Sequence, residues 1–599
     1  DLDKAAENGQ TQAVTTVEAQ YVTSASAESV NPYVGKLITG LSISGVTAEQ
    51  QANLLPILTE KVGDAVSVDG VFKDVTNLGN TGYFSEVNPV FTSVPEGVKL
   101  DFAVTVNPVT TGVSFEGNTV YSSEVLTKFM DIQPGQVLNS VSVGQKVQGI
   151  NAAYARDGYM LAHVDGIRVD DQGVLHIHIV EGIVEDIIPA GNKKTRNKVI
   201  TREFVQKKGK PFNKFLVRRS VERVYNLGFF DDVNVRMLPG EQDPNNVIIE
   251  IDVLEHKTGT ITLGAGYSKS DGLMGIVEFG EDNFRGTGDK FKVHWEIGGK
   301  KKYKNYQISY LKPWIDSKGT SLGFSFFNRE DEYTDYNEDG NEVAEYNKKS
   351  RGFNISFGRQ TGEYTRDYLT LESRKDSYKW DDDDSSGFRY DKNAGKGTNW
   401  DNGSYNFASD NYVKNNFGRI NSVTWQKVYD SRDNIYEPTR GRRISYTTQW
   451  AGHGLGGDFD FYKFTAETRM YKKLGAKNVL AFRARAGFIQ GDAPYSQLFT
   501  LGGADSLRGY EDDQFRGKKM YNATLEFRFP IVKKVSGVLF GDIGDAWDAP
   551  NVTWYNSKKS FNYGVGAGVR ITTPIGPVKL DYGVGKHKNK FHFSFGTQF

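Results

Sequence analysis

One arginine in a glycine-rich loop has neighbours that point to a specific polar contact. Residues 501–512 read LGGADSLRGYED, with Arg508 directly after Leu507 and two residues before Tyr510. Glycines let the backbone turn tightly, but a mobile surface loop has little use for an arginine beside apolar and aromatic side chains. A guanidinium in a partly dehydrated place needs carboxylate partners, preferably through forked hydrogen bonds. The stretch therefore predicts an ion-pair site.

Other residue types that often carry chemistry are absent or lack the necessary spacing. The chain has no cysteine, which excludes disulfides, thiolate metal sites and a cysteine nucleophile. Eight histidines are scattered, and His176 and His178 are interpreted as ordinary positions on one strand face. The acidic run 381–384 is interpreted as a solvated loop rather than a calcium site. No nucleophile–base set appears, so we predict no enzyme, no metal and no cofactor.

Residues 564–569, GVGAGV, have the glycine content of a nucleotide-binding loop. Such a loop follows a strand and opens a helix. Here the run lies inside an alternating strand pattern and no helical pattern follows it. The sequence therefore argues against a nucleotide site at this position.

The composition fits a membrane β-barrel better than a soluble enzyme. Of 599 residues, 65 are glycine and 13% are aromatic, while the mean hydropathy is −0.51. A hydrophilic average suits a barrel because only alternate strand residues face lipid. Lys and Arg number 73 against 74 Asp and Glu, which does not indicate a nucleic-acid partner. No run of about 18 apolar residues predicts a transmembrane helix, and the start at Asp1 without methionine is interpreted as a processed or trimmed N-terminus.

Three similar units follow a polar N-terminal segment. Residues 1–37 are rich in Ala, Ser, Thr and Glu, and we interpret them as a flexible linker. Turn glycines then recur, with spacings of 72 and 74 residues at the first two points of the unit. They are Gly45, Gly117 and Gly191, then Gly63, Gly135 and Gly209, then Gly82, Gly158 and Gly228. The repeat predicts three domains, over 38–108, 109–182 and 183–256.

Each unit is predicted to follow the order strand, helix, helix, strand, strand. The third unit has a helical pattern with apolar residues roughly on one face. These residues are Phe215, Val217, Val221, Val224 and Tyr225. The short sheet of such an α+β domain has an exposed edge, and exposed edges can accept a strand of another chain by β-augmentation. We expect strand binding, with a purely spacer role as the alternative.

The sequence from 257 to 599 alternates with period two instead of showing helical periodicity. In its last segment, one face is predicted to carry Phe591, Phe593, Phe595 and Phe599. Sixteen candidate strands begin near 258, 272, 288, 302, 318, 345, 362, 413, 441, 458, 477, 518, 533, 559, 575 and 589. We therefore predict α+β repeats followed by an all-β domain, a 16-stranded transmembrane β-barrel over 257–599.

Loop lengths distinguish a membrane barrel from a soluble sandwich. On one side the connections are mostly short, as at 316–319 and 474–477. The other side carries three long connections, 331–344, 379–412 and 491–517. Short periplasmic turns opposite long external loops are the outer-membrane arrangement. The stretch with the arginine then lies in an external loop.

Six short motifs follow one another along the barrel sequence. They are Asn283–Asp289, Asp430–Asn434, Pro438–Gly441, Leu507–Tyr510, Phe540–Trp547 and Thr573–Pro577. In this order they resemble the BamA/TamA superfamily of outer-membrane assembly factors, and the three repeats resemble that family's POTRA domains, so that the resemblance covers about 38–599. Leu507 stands where the family's arginine motif usually has valine, a mild change. Each stretch alone is weak evidence, whereas their number and order make the resemblance specific.

The resemblance implies that the arginine loop folds back into the barrel lumen, where it meets acidic residues on inward strand positions. The matching positions here are Glu526 and Asp542. The alternation agrees, because Glu526 and Arg528 share one face of their strand and apolar residues occupy the other. The expected loop clamp consists of Arg508, Gly509, Tyr510, Glu526 and Asp542.

The resemblance also implies a function in the outer membrane of a diderm bacterium, with the POTRA domains in the periplasm. The expected partners are unfolded outer-membrane β-barrel proteins and outer-membrane lipid, with periplasmic accessory subunits as a further class. The protein would insert its clients through a gate between the first and last strands, because glycines weaken strand order there. The candidate gate residues are Gly259, Gly264, Gly266, Gly596 and Phe599.

Three other functions compete with this one. Within the superfamily, the count of three POTRA domains favours a TamA-like factor for a subset of clients, whereas the turn at 286–289 and the GFFDDV and PIGP stretches favour the BamA branch, which we choose. A two-partner secretion transporter usually has two POTRA domains and a helical plug, and 1–37 lacks a convincing amphipathic helix. A passive porin has no need of binding repeats.

Overall fold

The computed structural model describes residues 19–268, 272–298, 303–379, 400–401, 404–405, 417–434, 437–549, 557–573, 576–595 and 599. The chain forms two compact units, Asp1–His256 and Lys257–Phe599. The first unit contains three small α/β repeats, each with its own core, and the second is built on one large antiparallel sheet.

Each repeat has a three-stranded sheet in which the first and last strands pair in parallel. The strand that is second along the chain pairs antiparallel with the other side of the last strand, so it lies at an edge of the sheet. The strands are β1 (Ile38–Ser44), β2 (Phe84–Val94) and β3 (Gly97–Val106); β4 (Gly112–Glu116), β5 (His163–Val169) and β6 (Val174–Val180); and β7 (Val184–Ala190), β8 (Phe230–Pro239) and β9 (Val247–Glu255). The predicted order of elements is confirmed.

The helices pack their apolar residues against these sheets. They are α1 (Ala27–Val30), α2 (Ala48–Leu54), α3 (Val68–Gly79), α4 (Ser123–Met130), α5 (Ser140–Arg156), α6 (Asn197–Thr201) and α7 (Lys214–Tyr225), with 3-10 turns at Asn31–Tyr33 and Leu55–Ile57. In α7, Val217 and Val224 are buried, but Phe215 and Tyr225 are about half exposed, so the buried face is narrower than predicted. Within the described ranges, no helix is long and apolar enough to span a membrane.

The predicted flexible linker over 1–37 differs from the structure in its described part, 19–37. Val30 is fully buried in the core of the first repeat, and α1 begins with a reciprocal capping box between Ser26 and Ser29. Further upstream, Val22 forms a parallel bridge with Glu86 of β2. A single buried valine and a four-residue helix leave too weak a periodic signal for a composition-based prediction to detect.

The described part of the second unit has twenty strands, of which sixteen form one sheet, and each strand of that sheet pairs with the next of the sixteen along the chain. In chain order the strands are β10 (Gly259–Ser268), β11 (Gly272–Phe284), β12 (Asp289–Gly298), β13 (Tyr303–Lys312), β14 (Ser321–Tyr336), β15 (Glu342–Gln360), β16 (Thr365–Lys379), β17 (Trp400–Asp401), β18 (Ser404–Tyr405), β19 (Gly418–Asp430), β20 (Gly441–Ala451), β21 (Phe461–Leu474), β22 (Asn478–Gly491), β23 (Phe499–Leu501), β24 (Phe515–Gly517), β25 (Lys519–Val532), β26 (Val535–Trp547), β27 (Asn562–Thr573), β28 (Gly576–Val584) and β29 (Asn589–Phe595). Two short pairs, β17–β18 and β23–β24, stand outside the main sheet. The 16-stranded barrel architecture is confirmed.

The two faces of the large sheet differ in polarity. Large apolar side chains are exposed on one face, such as Ile261 (71%), Leu263 (75%) and Phe593 (65%). Charged side chains are buried on the other face, such as Asp542 and Asp581. Exposed apolar residues suit lipid and buried charges suit a filled lumen, so the two faces identify the outside and the inside of the barrel.

The connection predicted as a long loop over 331–344 is shorter than expected. The β14–β15 ladder continues from Asp331, opposite Lys348, to Tyr336, opposite Glu342, and leaves only 337–341 outside it. The sequence of this part is polar and lacks the period-two alternation from which the other strands were predicted. Most of the long loop predicted over 379–412, including the acidic run 381–384, lies outside the described residues.

Candidate functional site

The stretch with the predicted arginine lies between β22 and β25, and this connection has an apolar core of its own. Leu501 and Leu507 are fully buried, and Tyr510 packs edge-on against Phe515 at a centroid distance of 5.3 Å. These side chains share one cluster with Met520 of β25. Burial of this apolar surface holds the connection against the inner wall of the barrel.

Arg508 lies inside a group of three carboxylates. Its Nε and Nη2 donate to the two oxygens of Asp542 at 2.8 and 2.9 Å, and its backbone N–H donates to the same carboxylate at 3.0 Å. Its Nη1 donates to Glu526 (2.9 Å) and Asp581 (3.2 Å). All four side chains are at most 3% exposed, and the guanidinium carbon lies 3.5 Å from the centroid of the Phe540 ring. Each of the three nitrogens of this buried guanidinium thus donates to a carboxylate.

The structure brings the predicted arginine and its two predicted carboxylates together, and it adds partners that the sequence did not identify. Asp581 also accepts from Arg570 of β27, from Nη1 at 2.5 Å and Nη2 at 3.2 Å. Glu526 also accepts from Arg528 Nε at 2.8 Å. The site is therefore a network of three arginines and three carboxylates across four strands. Among the described residues, no group of three or more His, Asp or Glu side chains is placed to hold a metal ion.

Glycines of β27 and β28 form the floor beneath this part of the connection. A Cβ on Gly564 would collide with the carbonyl oxygen of Arg508, and a Cβ on Gly583 would lie 2.5 Å from the amide nitrogen of Gly509. Glycine at these two positions lets the loop backbone approach the strands closely. The glycine-rich run 564–569 therefore has a structural role under the clamp.

Gly509 and Tyr510 attach the loop through a backbone group and a hydroxyl. The Gly509 N–H donates to Nε2 of His592 at 2.9 Å, so that ring nitrogen is an acceptor. The Tyr510 hydroxyl donates to the Tyr563 carbonyl at 2.9 Å and accepts from the Lys586 N–H at 3.1 Å. Together these bonds reach β27, the turn after β28, and β29.

The predicted gate glycines Gly259, Gly264 and Gly266 lie in β10 and pair with β11. Among the described side chains, a Cβ on Gly264 would meet only Ile276, at an ordinary 3.6 Å, so these neighbours do not require glycine there. Within the described parts of β10 and β29, no ladder joins the first strand to the last. Gly596 lies outside the described residues.

Phe599 does not lie on the face that it was predicted to share with Phe591 and Phe593. Phe591 and Phe593 are 60% and 65% exposed, but the Phe599 ring lies over the guanidinium groups of Arg483 and Arg528, at 4.7 and 4.9 Å. Arg528 Nη2 also donates to the Phe599 carbonyl at 3.2 Å. The alternation fails because β29 ends before this residue, and an aromatic face over a guanidinium is favourable.

The motifs and the lumenal loop match a known family. The sequence model of the family described as the Omp85 superfamily domain matches residues 283–599, which is more than half of the chain. This range includes the clamp and its three carboxylates. The chain belongs to the Omp85 superfamily. The POTRA model, described as a surface antigen variable number repeat, matches residues 108–182 and 183–256 of this Omp85 protein. The predicted superfamily and the predicted outer-membrane barrel with periplasmic repeats are thereby confirmed.

Relatives of this Omp85 protein occur in bacteria and in plants. It is 26% identical to the outer membrane protein assembly factor BamA of Nitratidesulfovibrio vulgaris over 482 residues, which cover 74% of this chain and 56% of that protein. It is 25% identical to the chloroplastic outer envelope protein 80 of Oryza sativa subsp. japonica over 564 residues, which cover 89% and 80%. Its fold resembles the structure of Haemophilus ducreyi BamA lacking POTRA domains 1–3, with a TM-score of 0.51, 19% identity, and coverage of 82% of this chain and 100% of that one.

Proposed function

We propose that this protein receives unfolded β-barrel proteins at its POTRA repeats and folds and inserts them into the outer membrane. The superfamily and the bacterial relative named as an assembly factor support this function. The observation that carries it is the unequal attachment of the two ends of the sheet. The buried clamp joins the four strands β25, β26, β27 and β28. Within the described residues, β10 pairs with β11 on one side and with no strand on the other.

An end strand with a free side favours the entry of another strand. Backbone N–H and C=O groups without partners are costly in lipid, because no water is present to replace the missing hydrogen bonds. An incoming client strand that pairs with β10 would satisfy them. The energy then comes from folding of the client, and the protein breaks no bond and uses no nucleotide. Glycines at 259, 264 and 266 make β10 easier to deform, since glycine weakens a strand.

The POTRA repeats are proposed to hold clients in extended form before insertion. In each repeat the strand that is second along the chain (β2, β5 or β8) lies at an edge of its sheet. The outer backbone groups of β5 and β8 can pair with extended polypeptide, while β2 already pairs with Val22 at one point. The proposed partners are unfolded outer-membrane β-barrel proteins and membrane lipid, together with periplasmic accessory subunits.

A disulfide across the seam tests the gate directly, because the chain contains no native cysteine. We expect Thr262→Cys, combined with a cysteine near position 596, to stop growth of cells that depend on this protein once the bond forms, and a reductant to restore growth. The matched control is Thr262→Cys with Glu278→Cys, which joins two residues that are already paired in neighbouring strands. Normal growth with the seam bond fully formed would rule out the gate.

Depletion in cells separates the related functions. A broad loss of outer-membrane barrel proteins supports general assembly. A narrow defect favours a TamA-like role for a subset of clients. Loss of one secreted partner with normal levels of barrel proteins favours a two-partner transporter and contradicts the proposal.

A further inference from the structure

A segment of the chain itself lies along the exposed edge of the first repeat. The Val22 N–H donates to the Ser85 carbonyl at 2.9 Å, and the Val87 N–H donates to the Val22 carbonyl at 3.0 Å. These two bonds place the segment parallel to β2, with Val22 opposite Glu86. The Val22 side chain is 69% exposed, so the backbone carries the contact. This is the geometry of β-augmentation, formed within one molecule.

The residues on both sides of Val22 hold the segment in place. The ring of Tyr21 packs over Gly79 at the end of α3, where a Cβ would collide with it. Val30 is anchored in the core of the repeat. The segment between these anchors is therefore tethered at the edge at a high effective concentration.

The edge that accepts this segment is short because of a proline. Continuing the parallel ladder would require the N–H of residue 89 to donate to residue 24, but Pro89 has no N–H. The Ser24 N–H donates instead to the Asn88 side-chain oxygen, at 2.7 Å. A proline on an edge strand is a known way to limit strand addition.

The equivalent edges of the other two repeats differ. In β2, β5 and β8, the pairing with the last strand of the repeat skips one residue, which is Ser85, Asp165 and Asp231 respectively. Four residues after that point, the first repeat has Pro89, whereas the second and third have Val169 and Val235, which keep their N–H groups. Among the described residues, no other segment pairs with the outer side of β5 or β8.

We propose that residues 21–24 act as a built-in occupant of the strand-accepting edge of the first repeat and compete there with extended client polypeptide. This inference rests on the proposed function, in which the repeats receive unfolded chains. The first repeat then binds a client only after its own segment leaves, and the open edges of the second and third repeats make the earlier contacts. A client at the first repeat would lie parallel to β2, in the register of Val22.

Substitutions at Val22 separate the backbone contact from the side chain. Val22→Pro removes both the exposed side chain and the N–H that donates to the Ser85 carbonyl. Val22→Ala removes the same side chain and keeps that N–H. The probe is a fluorescent synthetic peptide with the sequence of residues 19–26, AQYVTSAS, added to the full chain in detergent micelles. We expect Val22→Pro to bind the peptide about tenfold more tightly than wild type, because the competing state is lost. Val22→Ala should bind it like wild type.

A reversible cross-link gives a second, independent measurement. Oxidised Val22→Cys/Glu86→Cys should bind the peptide more weakly than the same preparation after reduction, and the Val87 amide should exchange with deuterium more slowly. Equal binding by Val22→Pro and Val22→Ala, or equal binding by the oxidised and reduced forms, would overturn the inference.

Insertion of a test barrel protein into liposomes by the same variants is scored separately. If the wild-type protein does not insert the test protein while the peptide results are as expected, the proposed function is wrong and the occupied edge of the first repeat is supported. If insertion proceeds and the peptide results are not as expected, the proposed function is supported and the inferred competition at the edge of the first repeat is wrong.

Discussion

The two ends of the barrel sheet use glycine for different purposes. Near the end of the chain, Gly564 and Gly583 are required by space, since the backbone of Arg508 and Gly509 occupies the place of a Cβ. In the first strand, a Cβ on Gly264 would make an ordinary contact with Ile276 and with no other described side chain. The first set permits a tight attachment of the loop, whereas glycine in β10 leaves a strand easy to deform.

In the proposed gate mechanism, this contrast would let β10 separate while the clamp stays in place. The arginine network ties β25, β26, β27 and β28 to one loop, and nothing comparable among the described residues acts on β10. Opening at β10 would therefore leave the network intact. Variants in the two regions should separate stability from opening.

The largest effect is expected for Arg508→Ala. It leaves Asp542, Glu526 and Asp581 buried with less positive charge, and removing one partner of a buried ion pair costs about 3–5 kcal/mol. We expect that loss in the free energy of unfolding in urea, followed by tryptophan fluorescence. Protease sensitivity within 502–514 should rise as well.

Two controls make this prediction specific. Arg419→Ala removes an exposed arginine of the same barrel and should change the free energy of unfolding by no more than about 0.5 kcal/mol. Arg508→Lys keeps the charge but loses the fork to Asp542, and should fall between wild type and Arg508→Ala. If Arg508→Ala left stability, heat-modifiability and protease resistance unchanged, Arg508 would not hold the loop in the barrel.

A smaller loss is expected for Asp581→Asn. The carboxylate accepts from both Arg508 and Arg570, and hydrogen bonds to charged groups contribute about 1.5–3 kcal/mol. We expect a loss of about 2–3 kcal/mol in the same unfolding measurement. Asp548→Asn is the matched control, since its side chain is 56% exposed and lies 4.0 Å from Lys519. Equal effects of the two substitutions would show that Asp581 adds nothing to the network.

Gly583→Ala should cost less again, about 1–3 kcal/mol, because overpacking forces backbone or side chains to shift. The added methyl would lie 2.5 Å from the Gly509 nitrogen and 2.8 Å from the Arg508 carbonyl carbon. The loop, rather than the strand, should yield. Increased protease cleavage within 502–514 at nearly unchanged β-sheet circular dichroism is the expected signature, and a wild-type cleavage rate would contradict it.

The same substitution in the first strand should have the smallest effect on stability. The methyl group added by Gly264→Ala would lie 3.6 Å from Ile276, an ordinary contact, and replacing glycine in a strand removes a cost of about 0.5–1 kcal/mol. We expect unchanged or slightly increased stability together with slower insertion of a test barrel protein into liposomes. A loss of stability as large as that of Gly583→Ala would erase the contrast between the two ends.

Much of the barrel could be predicted because each strand carries its own signal. Period-two alternation located all sixteen strands of the large sheet to within a few residues of their observed starts. Glu526 and Asp542 were found by combining alternation with the family motif. Asp581 could have been found in the same way, since Lys579 and Asp581 alternate with apolar residues in β28. The motif named no carboxylate in that strand, and alternation does not say which inward charges meet.

The remaining errors come from contacts that leave little local pattern. The contacts that order the segment over 19–37 include the buried Val30, the Tyr21 ring on Gly79 and two backbone bonds to β2, and composition does not record any of them. Phe599 follows the end of β29, where alternation no longer determines the direction of a side chain. In both cases a distant part of the fold decides the position of the residue.

Hydrogen–deuterium exchange of the native protein in detergent or nanodiscs tests the central claim most directly. It compares the backbone amides of β10 with those of β26, β27 and β28 in one sample, without any substitution. We expect the amides of β10 to exchange much faster, because β10 is paired on one side only in the described residues, while the other three strands carry the clamp. Equal protection of β10 and β28 would contradict the account.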